Sequence, residues 1–303
     1  MKKLSLAAIA LFSTSALATD ARTAAHQSNA GLTDDTDYRS YLSRINKGKD
    51  GVWFDMGAGG VLSGAYRADS RSLTLAQNAN GDATSMGYYA SHGDNGYAVL
   101  LDMRSIDQMS IGGGYGIGSD GGDMTVYGSA ALSADEDVGM GLNVGVRSRS
   151  LTKSDVTFWG AGLSKDDAGM AIGANGGMGL RFKTDRSKAA VTLGPDLSVS
   201  MIEDEDMGVD VNLAGVNVAG EFALNDWFGL RGSVAGGLLP SFNMDGEVDL
   251  ESSGFSTAFG ASLDFEGADI DLVIDPNSVM NGPYFLTGAA SAPAVHMSAR
   301  FDI

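Results

Sequence analysis

The sequence has no cysteine, which excludes disulfide frameworks, thiolate metal sites, cysteine nucleophiles and a lipidated cysteine behind an export signal. Basic residues are also scarce. The 20 Lys and Arg face 38 Asp and Glu, a formal charge of −18, which is the wrong sign for a protein that neutralises phosphates, so nucleic acid is not an expected partner. Only 5 prolines interrupt the 303 residues. Beyond the first 18 residues no run approaches the ~18 apolar residues of a membrane helix. A chain without such a run can enter a bilayer only as a closed barrel. What remains is 43 glycines, with 44% hydrophobic and 19% charged residues, too apolar for a disordered acidic chain and without collagen's repeat.

Residues 1–18 read as a secretory signal peptide. Lys2 and Lys3 form the basic start, Leu4 to Leu17 is apolar apart from small Ser and Thr, and Ala16-Leu17-Ala18 is an A-x-A cleavage pattern. Removing those 18 residues leaves 285 of the 303, and losing Lys2 and Lys3 takes −18 to −20. Residues 19–50 are a polar lead, a periplasmic leader or a plug, in which Asp37 to Ile45 has the composition of a short helix.

From Gly51 onward the dominant period is two, which sends alternate side chains to opposite faces of a sheet. In Val138 to Arg149, Val138, Met140, Leu142, Val144 and Val146 share one face, and Asn143, Arg147 and Arg149 with three glycines share the other. Lys188 to Met201 divides likewise, with a bulge or irregularity expected at Pro195 because proline donates no ladder hydrogen bond. Met170 to Lys183, Gly254 to Glu266 and Val295 to Ile303 repeat the division.

The pattern gives about 14 strands, with 12 to 16 acceptable: 52–66, 82–91, 97–107, 109–118, 122–133, 138–149, 154–163, 168–184, 188–202, 207–223, 227–240, 253–265, 268–275 and 295–303. Leu73 to Gln77 is a possible extra strand. Many of these exceed the ~9–11 residues a tilted strand needs to cross a bilayer, and the second face is small and polar rather than rich in Lys and Glu. The fold class is therefore all-β, an antiparallel up-and-down transmembrane β-barrel at 51–303. Walking back from Ile303 makes 240–252 and 275–294 long outer loops, and 184–187, 224–226 and 266–267 short periplasmic turns. Aromatic residues gather near strand ends, where the bilayer interfaces lie: Tyr88, Tyr89, Tyr97, Phe158, Trp159, Phe222, Trp227, Phe228, Phe265 and Phe301.

With its signal peptide, alternating strands and terminal Phe301-Asp302-Ile303, the chain resembles the Gram-negative outer-membrane β-barrels. More loosely, it is similar to the long-chain fatty-acid transporter type, through the count of about 14 strands, a lead long enough for a hatch, and the stretch Asp275 to Phe285. It departs from those barrels in ending on Ile303, where they commonly end on an aromatic residue, and in its short length. The resemblance implies outer-membrane localisation, contact with outer-membrane lipid, engagement of the barrel-assembly machinery by the C-terminal strand, and a channel or transporter for small or hydrophobic solutes.

Candidates for function are the charges whose parity places them in the lumen: Asp102, Arg104, Arg147, Arg149, Arg181, Lys183, Arg231, Asp264 and Arg300, with Asp210, Asp269, Asp271 and Asp302. Such groups either set ion preference in an open pore or pair and fill a narrow barrel. The overall charge favours cations, whereas the Arg-rich middle strands favour anions. His296 and Ser298 share a face, as a lipid hydrolase requires of a base and a nucleophile, but no third group orients them. The acidic pairs Asp34-Asp35, Asp166-Asp167 and Glu203 to Asp206 are solvated turns before they are metal or catalytic sites. Gly113 to Gly118 lies in a strand pattern with no following helix and is not a phosphate loop, and Asp120 to Asp123 stands alone without a nine-residue repeat. The expectation is a pore with no catalysis and no cofactor. The alternatives are a sealed structural or surface-interaction barrel, an outer-membrane lipid hydrolase, and a soluble secreted β protein.

Overall fold

The computed structural model describes residues 29–32, 37–56, 62–77, 83–105, 108–119, 121–133, 141–166, 169–202, 208–238, 241–245, 247–251, 255–274 and 295–303. Two 3-10 turns, Asp37–Arg39 and Leu42–Asn46, come first. The strands follow in order: β1 (Gly51–Met56), β2 (Leu62–Ala68), β3 (Arg71–Gln77), β4 (Thr84–His92), β5 (Asn95–Ser105), β6 (Gln108–Gly118), β7 (Gly122–Ser133), β8 (Gly141–Leu151) and β9 (Asp155–Asp166). After them come β10 (Gly169–Lys183), β11 (Ser187–Ile202), β12 (Gly208–Ala223), β13 (Phe228–Gly237), β14 (Ser241–Asp245), β15 (Glu247–Glu251), β16 (Phe255–Phe265), β17 (Ala268–Ile274) and β18 (Val295–Phe301).

Strands adjacent in the ring pair antiparallel, and β18 returns to β1 in the register Val52↔Phe301 to Met56↔Met297. This closes the sheet. β14 lies against the upper part of β12, beyond the end of β13, while β13 pairs directly with β16. β14 and β15 are thus the prolongation of the β13/β16 hairpin above the ring, and the barrel proper has 16 strands.

Sixteen lies within the expected range, and the two strands beyond 14 come from one region. The single strand expected at 52–66 is two strands, β1 and β2, and the possible strand at 73–77 is β3. The β2–β3 hairpin turns at Asp69 and Ser70, both at positive φ (49° and 62°). Two consecutive left-handed residues suit a two-residue hairpin loop, but Asp-Ser lacks the glycine that usually announces one. The expected loop 240–252 contains β14 and β15. At Pro195 the ladder shifts as expected: Gly194 faces Gly215 and Asp196 faces Asn212, so two residues of β12 oppose Pro195.

At one rim the connections are short, two residues at Asp69–Ser70, Gly93–Asp94 and Glu266–Gly267, and three or four at the other four hairpins. The opposite rim carries the prolonged hairpin of β14 and β15. Residues 275–294, including the Asp275 to Phe285 stretch, lie outside the described residues, as do residues 1–28.

Large apolar side chains point away from the lumen all round the ring. Leu73, Val99, Ile111, Val144, Met178, Leu193, Val218, Leu230 and Phe259 are all well exposed. A soluble monomer rarely exposes a contiguous apolar patch beyond a few hundred Å², so a girdle of this extent is a lipid-facing surface. Near the short-turn rim it becomes aromatic, with Tyr66, Tyr88, Tyr97, Tyr115, Phe182, Phe222, Trp227, Phe265 and Phe301 exposed. Tyr89 and Phe158 do not join that belt. Tyr89 is buried inside the ring against Tyr38, and Phe158 shares the inward parity of fully buried Val156. Adjacent aromatics on a strand necessarily face opposite sides.

Leu193→Arg, on the outer face near the middle of β11, should therefore destabilise the barrel by about 2–4 kcal/mol, whereas Ser198→Arg on the inner face should be tolerated. Urea unfolding in lipid vesicles, read as loss of heat-modifiable gel migration, measures both. Equal tolerance of the two would contradict the assigned faces.

Candidate functional site

The lumen next to the short-turn rim is occupied by the chain's own N-terminal lead. Its first part, residues 29–32, lies against one wall. The Asn29 amide donates to the carbonyl and to Oδ1 of Asn217, both at 3.0 Å, and Asn29 Oδ1 accepts from the Gly31 N–H at 2.8 Å. Leu32 packs with Ala190 and Ala219. These partners belong to β11 and β12.

The second part, residues 37–46, lies against β3 to β7, nearly opposite in a ring of 16 strands. Tyr38, Leu42 and Ile45 are buried there with Tyr89 and Ala98. Tyr38 stacks edge-on against Tyr89 at 5.2 Å, and its hydroxyl shares a hydrogen bond with Ser72 at 2.9 Å. Arg67 donates to the carbonyls of Ile45 and of Lys49, which fixes the exit of the lead into β1. The two described parts of the lead thus lie on two different walls of the ring.

Glycine makes the seat. On β5 and β6, Gly96, Gly114, Gly116 and Gly118 all face the lead. A Cβ on Gly96 would fall 1.8 Å from the Leu42 carbonyl oxygen, and one on Gly116 would fall 2.6 Å from the Ser43 nitrogen. Side chains at these positions would fill the trough where the Leu42–Ser43 backbone lies. The period-two run through Gly112, Gly114, Gly116 and Gly118 is the sequence signal for it, legible as small residues on one face but silent about what they accommodate.

Charge locks the seated segment. Asp123, buried on β7, accepts from Ser43 Oγ at 2.7 Å and from Arg44 Nε at 2.6 Å. Arg149 stands 3.7 Å from Asp123 and donates to Asp37 at 2.8 Å, and its guanidinium lies 4.0 Å over the Tyr41 ring. The Leu42 N–H donates to Thr125 Oγ1 at 3.0 Å. Burial pushes the Tyr41 phenol above its ordinary range although Arg149 and Arg147 pull it down, so this ring stays neutral. Two cations, Arg44 and Arg149, thus share two anions, Asp37 and Asp123, and removing one partner of so buried a group costs on the order of 3–5 kcal/mol.

The sequence-derived lumen residues divide between this lock and the wall. Arg149 belongs to the lock, and Arg181 reaches the lead, donating to the Gly31 carbonyl at 2.7 Å and to the Thr152 carbonyl at 2.5 Å. Arg147 lies 5.0 Å over the Tyr127 ring, and Asp102 accepts from Ser110 at 3.1 Å. Along the other half of the ring, charges pair with one another on the inner wall. Lys188 meets Glu221, Arg231 lies 4.0 Å from Glu221 and 2.6 Å from Asp271, and Arg300 meets Asp269 and, at 3.2 Å, Asp302. Asp264 stands opposite Asp269. Lys183 sits at the rim, directly opposite Lys188. The side chains of Arg104, Asp210 and His296 lie outside those described.

Sequence reasoning did not single out Tyr38, Ser43, Arg44, Arg67 or Thr125. Asp123 stands out in the sequence only as the end of the isolated stretch Asp120 to Asp123. Among the described residues no three carboxylates or imidazoles converge as metal ligands. Ser298 is buried on the inner face of β18, while the acidic runs 34–35 and 203–206 and residues 120 and 167 fall outside the described residues.

No protein-family model and no curated relative matches the sequence. Among solved structures the chain is similar to a bacterial polysaccharide outer-membrane secretin, at a TM-score of 0.55 and 9% identity over 84% of this chain and 97% of that one. Lower similarity extends to a loop-deleted form of OmpT, an outer-membrane protein of Vibrio cholerae (TM-score 0.42, 10% identity, 83% and 96% coverage). It also extends to the FrpB iron transporter of Neisseria meningitidis (TM-score 0.39, 10% identity, 80% and 48% coverage). The fold is that of an outer-membrane β-barrel protein.

The lead carries trypsin sites at Arg39, Arg44, Lys47 and Lys49, so its docking is open to proteolysis. In the folded protein these bonds should resist trypsin. Gly116→Val, which obstructs the seat, should speed their cleavage about tenfold or more, as a loss of ~1.4 kcal/mol in local docking would, while heat-modifiable migration of the barrel persists. Equal cleavage rates in both proteins would show that the glycine trough does not hold the lead.

Proposed function

We propose that this chain is exported by its N-terminal signal, resides in the outer membrane, and acts there as a channel for small solutes whose lumen is narrowed by residues 29–50. The observation that carries the reading is a closed ring of 16 strands with a lipid-type outer face and an inner face of Arg, Asp, Ser, Thr and Gly. Barrels of this strand number enclose more space than their own wall side chains fill. The lead occupies part of that space, and the contacts holding it are mostly hydrogen bonds and ion pairs, which water can replace, rather than a broad apolar core.

The similarity to fatty-acid transporters implies a hydrophobic solute. Of its supports, the strand count is now 16, the stretch Asp275 to Phe285 lies outside the described residues, and the lead remains. The charged inner wall suits a small polar solute better. The closing strand β18 is where the assembly machinery would engage the chain. A second reading, a sealed barrel that meets partners through its outer hairpin, is supported by the docking of the lead on two walls of the lumen and by the prolongation of β14 and β15 above the ring.

Single-channel recording of the refolded mature chain in a planar bilayer, with and without residues 29–50, separates these readings. The expected result is discrete conductance steps that grow when the lead is removed. Steps only after removal would make the lead a full plug, and silence from both folded proteins would overturn the channel in favour of the sealed barrel.

A further inference from the structure

At the short-turn mouth, beneath the first part of the lead, lies a cavity of about 1080 Å³. Its wall includes Lys153, Arg181, Lys183 and Lys188 against a single carboxylate, Asp185. In a chain with nearly twice as many acids as bases, that local excess runs against composition. The strand register sharpens it. Lys183 and Lys188 are directly opposite on β10 and β11, and Arg181 precedes Lys183 by two residues, so that all three share the inner face of one hairpin end. Like charges directly opposite each other destabilise a sheet. Two such lysines beside an arginine are a cost to folding that an anion between them would offset.

Their present partners leave that capacity open. Lys188 pairs with Glu221 on its far side. Arg181 donates to two carbonyls, of Gly31 and Thr152, and to no carboxylate among the described residues. Lys183 and Lys153 have no ion pair among the described residues. An adjoining hollow continues the wall to Arg186 and Arg231, and Glu221 lines it too. Guanidinium and ammonium groups lining one hollow are the chemistry that recognises phosphate or carboxylate.

We infer that this mouth is an anion-binding vestibule, in which Arg181, Lys183 and Lys188 take a small phosphate- or carboxylate-bearing solute on its way through the lumen. The inference rests on the channel reading for its direction of passage, but binding itself does not require conduction. Arg181 supplies a planar donor pair and the two lysines supply point charges, so the site attracts the anionic group and leaves the rest of the solute in the cavity. Asp185 at its edge limits the depth of the positive potential.

Inorganic phosphate is the probe. Its ³¹P resonance, titrated against the full mature protein folded in a zwitterionic detergent, should broaden saturably, and the broadening should fade as ionic strength rises. In the double variant Arg181→Gln, Lys183→Gln the apparent affinity should fall about tenfold or more. Lys165→Gln, at the opposite rim, should leave it unchanged, and heat-modifiable migration verifies that each variant is folded. No difference between wild type and the double variant would overturn the site. Loss of the wild-type signal when phosphatidylglycerol, but not phosphatidylcholine, is added to the micelles would assign these groups to a lipid headgroup and overturn the solute reading. A silent bilayer recording together with intact phosphate binding would remove the channel and keep the vestibule, so the two failures are distinguishable.

Discussion

The whole structure depends on one constraint: a strand facing hydrocarbon has no water with which to satisfy its backbone, so every N–H and C=O must find a partner in the next strand. The pairing of β1 with β18 meets that requirement by removing both sheet edges. Once the ring is closed, period-two alternation has only two destinations, lipid and lumen. Leu142 and Val144 go outward because Arg147 and Arg149 must go inward. The exposed apolar girdle, costly in water, is the favourable surface in a bilayer, and the small or charged inner residues pay nothing for lacking an apolar core.

A lumen formed this way is wide, polar and concave, and the chain's own lead settles into it. The seat combines two devices that act at different levels. Glycines at 96, 114, 116 and 118 lower the wall so that the Leu42–Ser43 backbone approaches within contact distance, a close approach no side chain would permit. The shared pairs among Asp37, Arg44, Asp123 and Arg149 then fix the register of the segment in the trough. Packing alone would leave the short 3-10 turns free to slide, and charge alone would leave them at a distance.

The barrel was legible in the sequence because its determinants are local and repetitive: alternation, strand length and acidic or glycine turns. Most strand positions follow from them, and so does the irregularity at Pro195. The β2–β3 hairpin was not legible, since Asp69-Ser70 adopts left-handed backbone without glycine, and no periodicity marks a turn of two residues. The site was legible only by face. Parity places Arg149 and Arg181 in the lumen, but it cannot pair them with Asp37 or with the Gly31 carbonyl, each more than a hundred residues away in sequence. Tyr89 shows the same limit in reverse: composition groups it with the interfacial tyrosines, and parity with Tyr88 excludes it.

Net charge and the local charge of the lumen differ for a related reason. The excess of acid is a property of the whole chain, whereas a solute at the mouth feels the groups within about a Debye length, roughly 8–10 Å at physiological salt. There the register sets Lys183 against Lys188 with Arg181 beside them, and local order outweighs the total. Arg181 also joins the two regions of the lumen, since the guanidinium that lines the rim cavity holds the Gly31 carbonyl of the lead. An anion bound as proposed would share this guanidinium with the Gly31 carbonyl, and any effect of the lead on the anion would by linkage equal the effect of the anion on the lead. Mouth and lead thus meet at a single side chain, Arg181, beside a segment whose other described contacts, from Asn29 and Leu32, lie on the wall formed by β11 and β12.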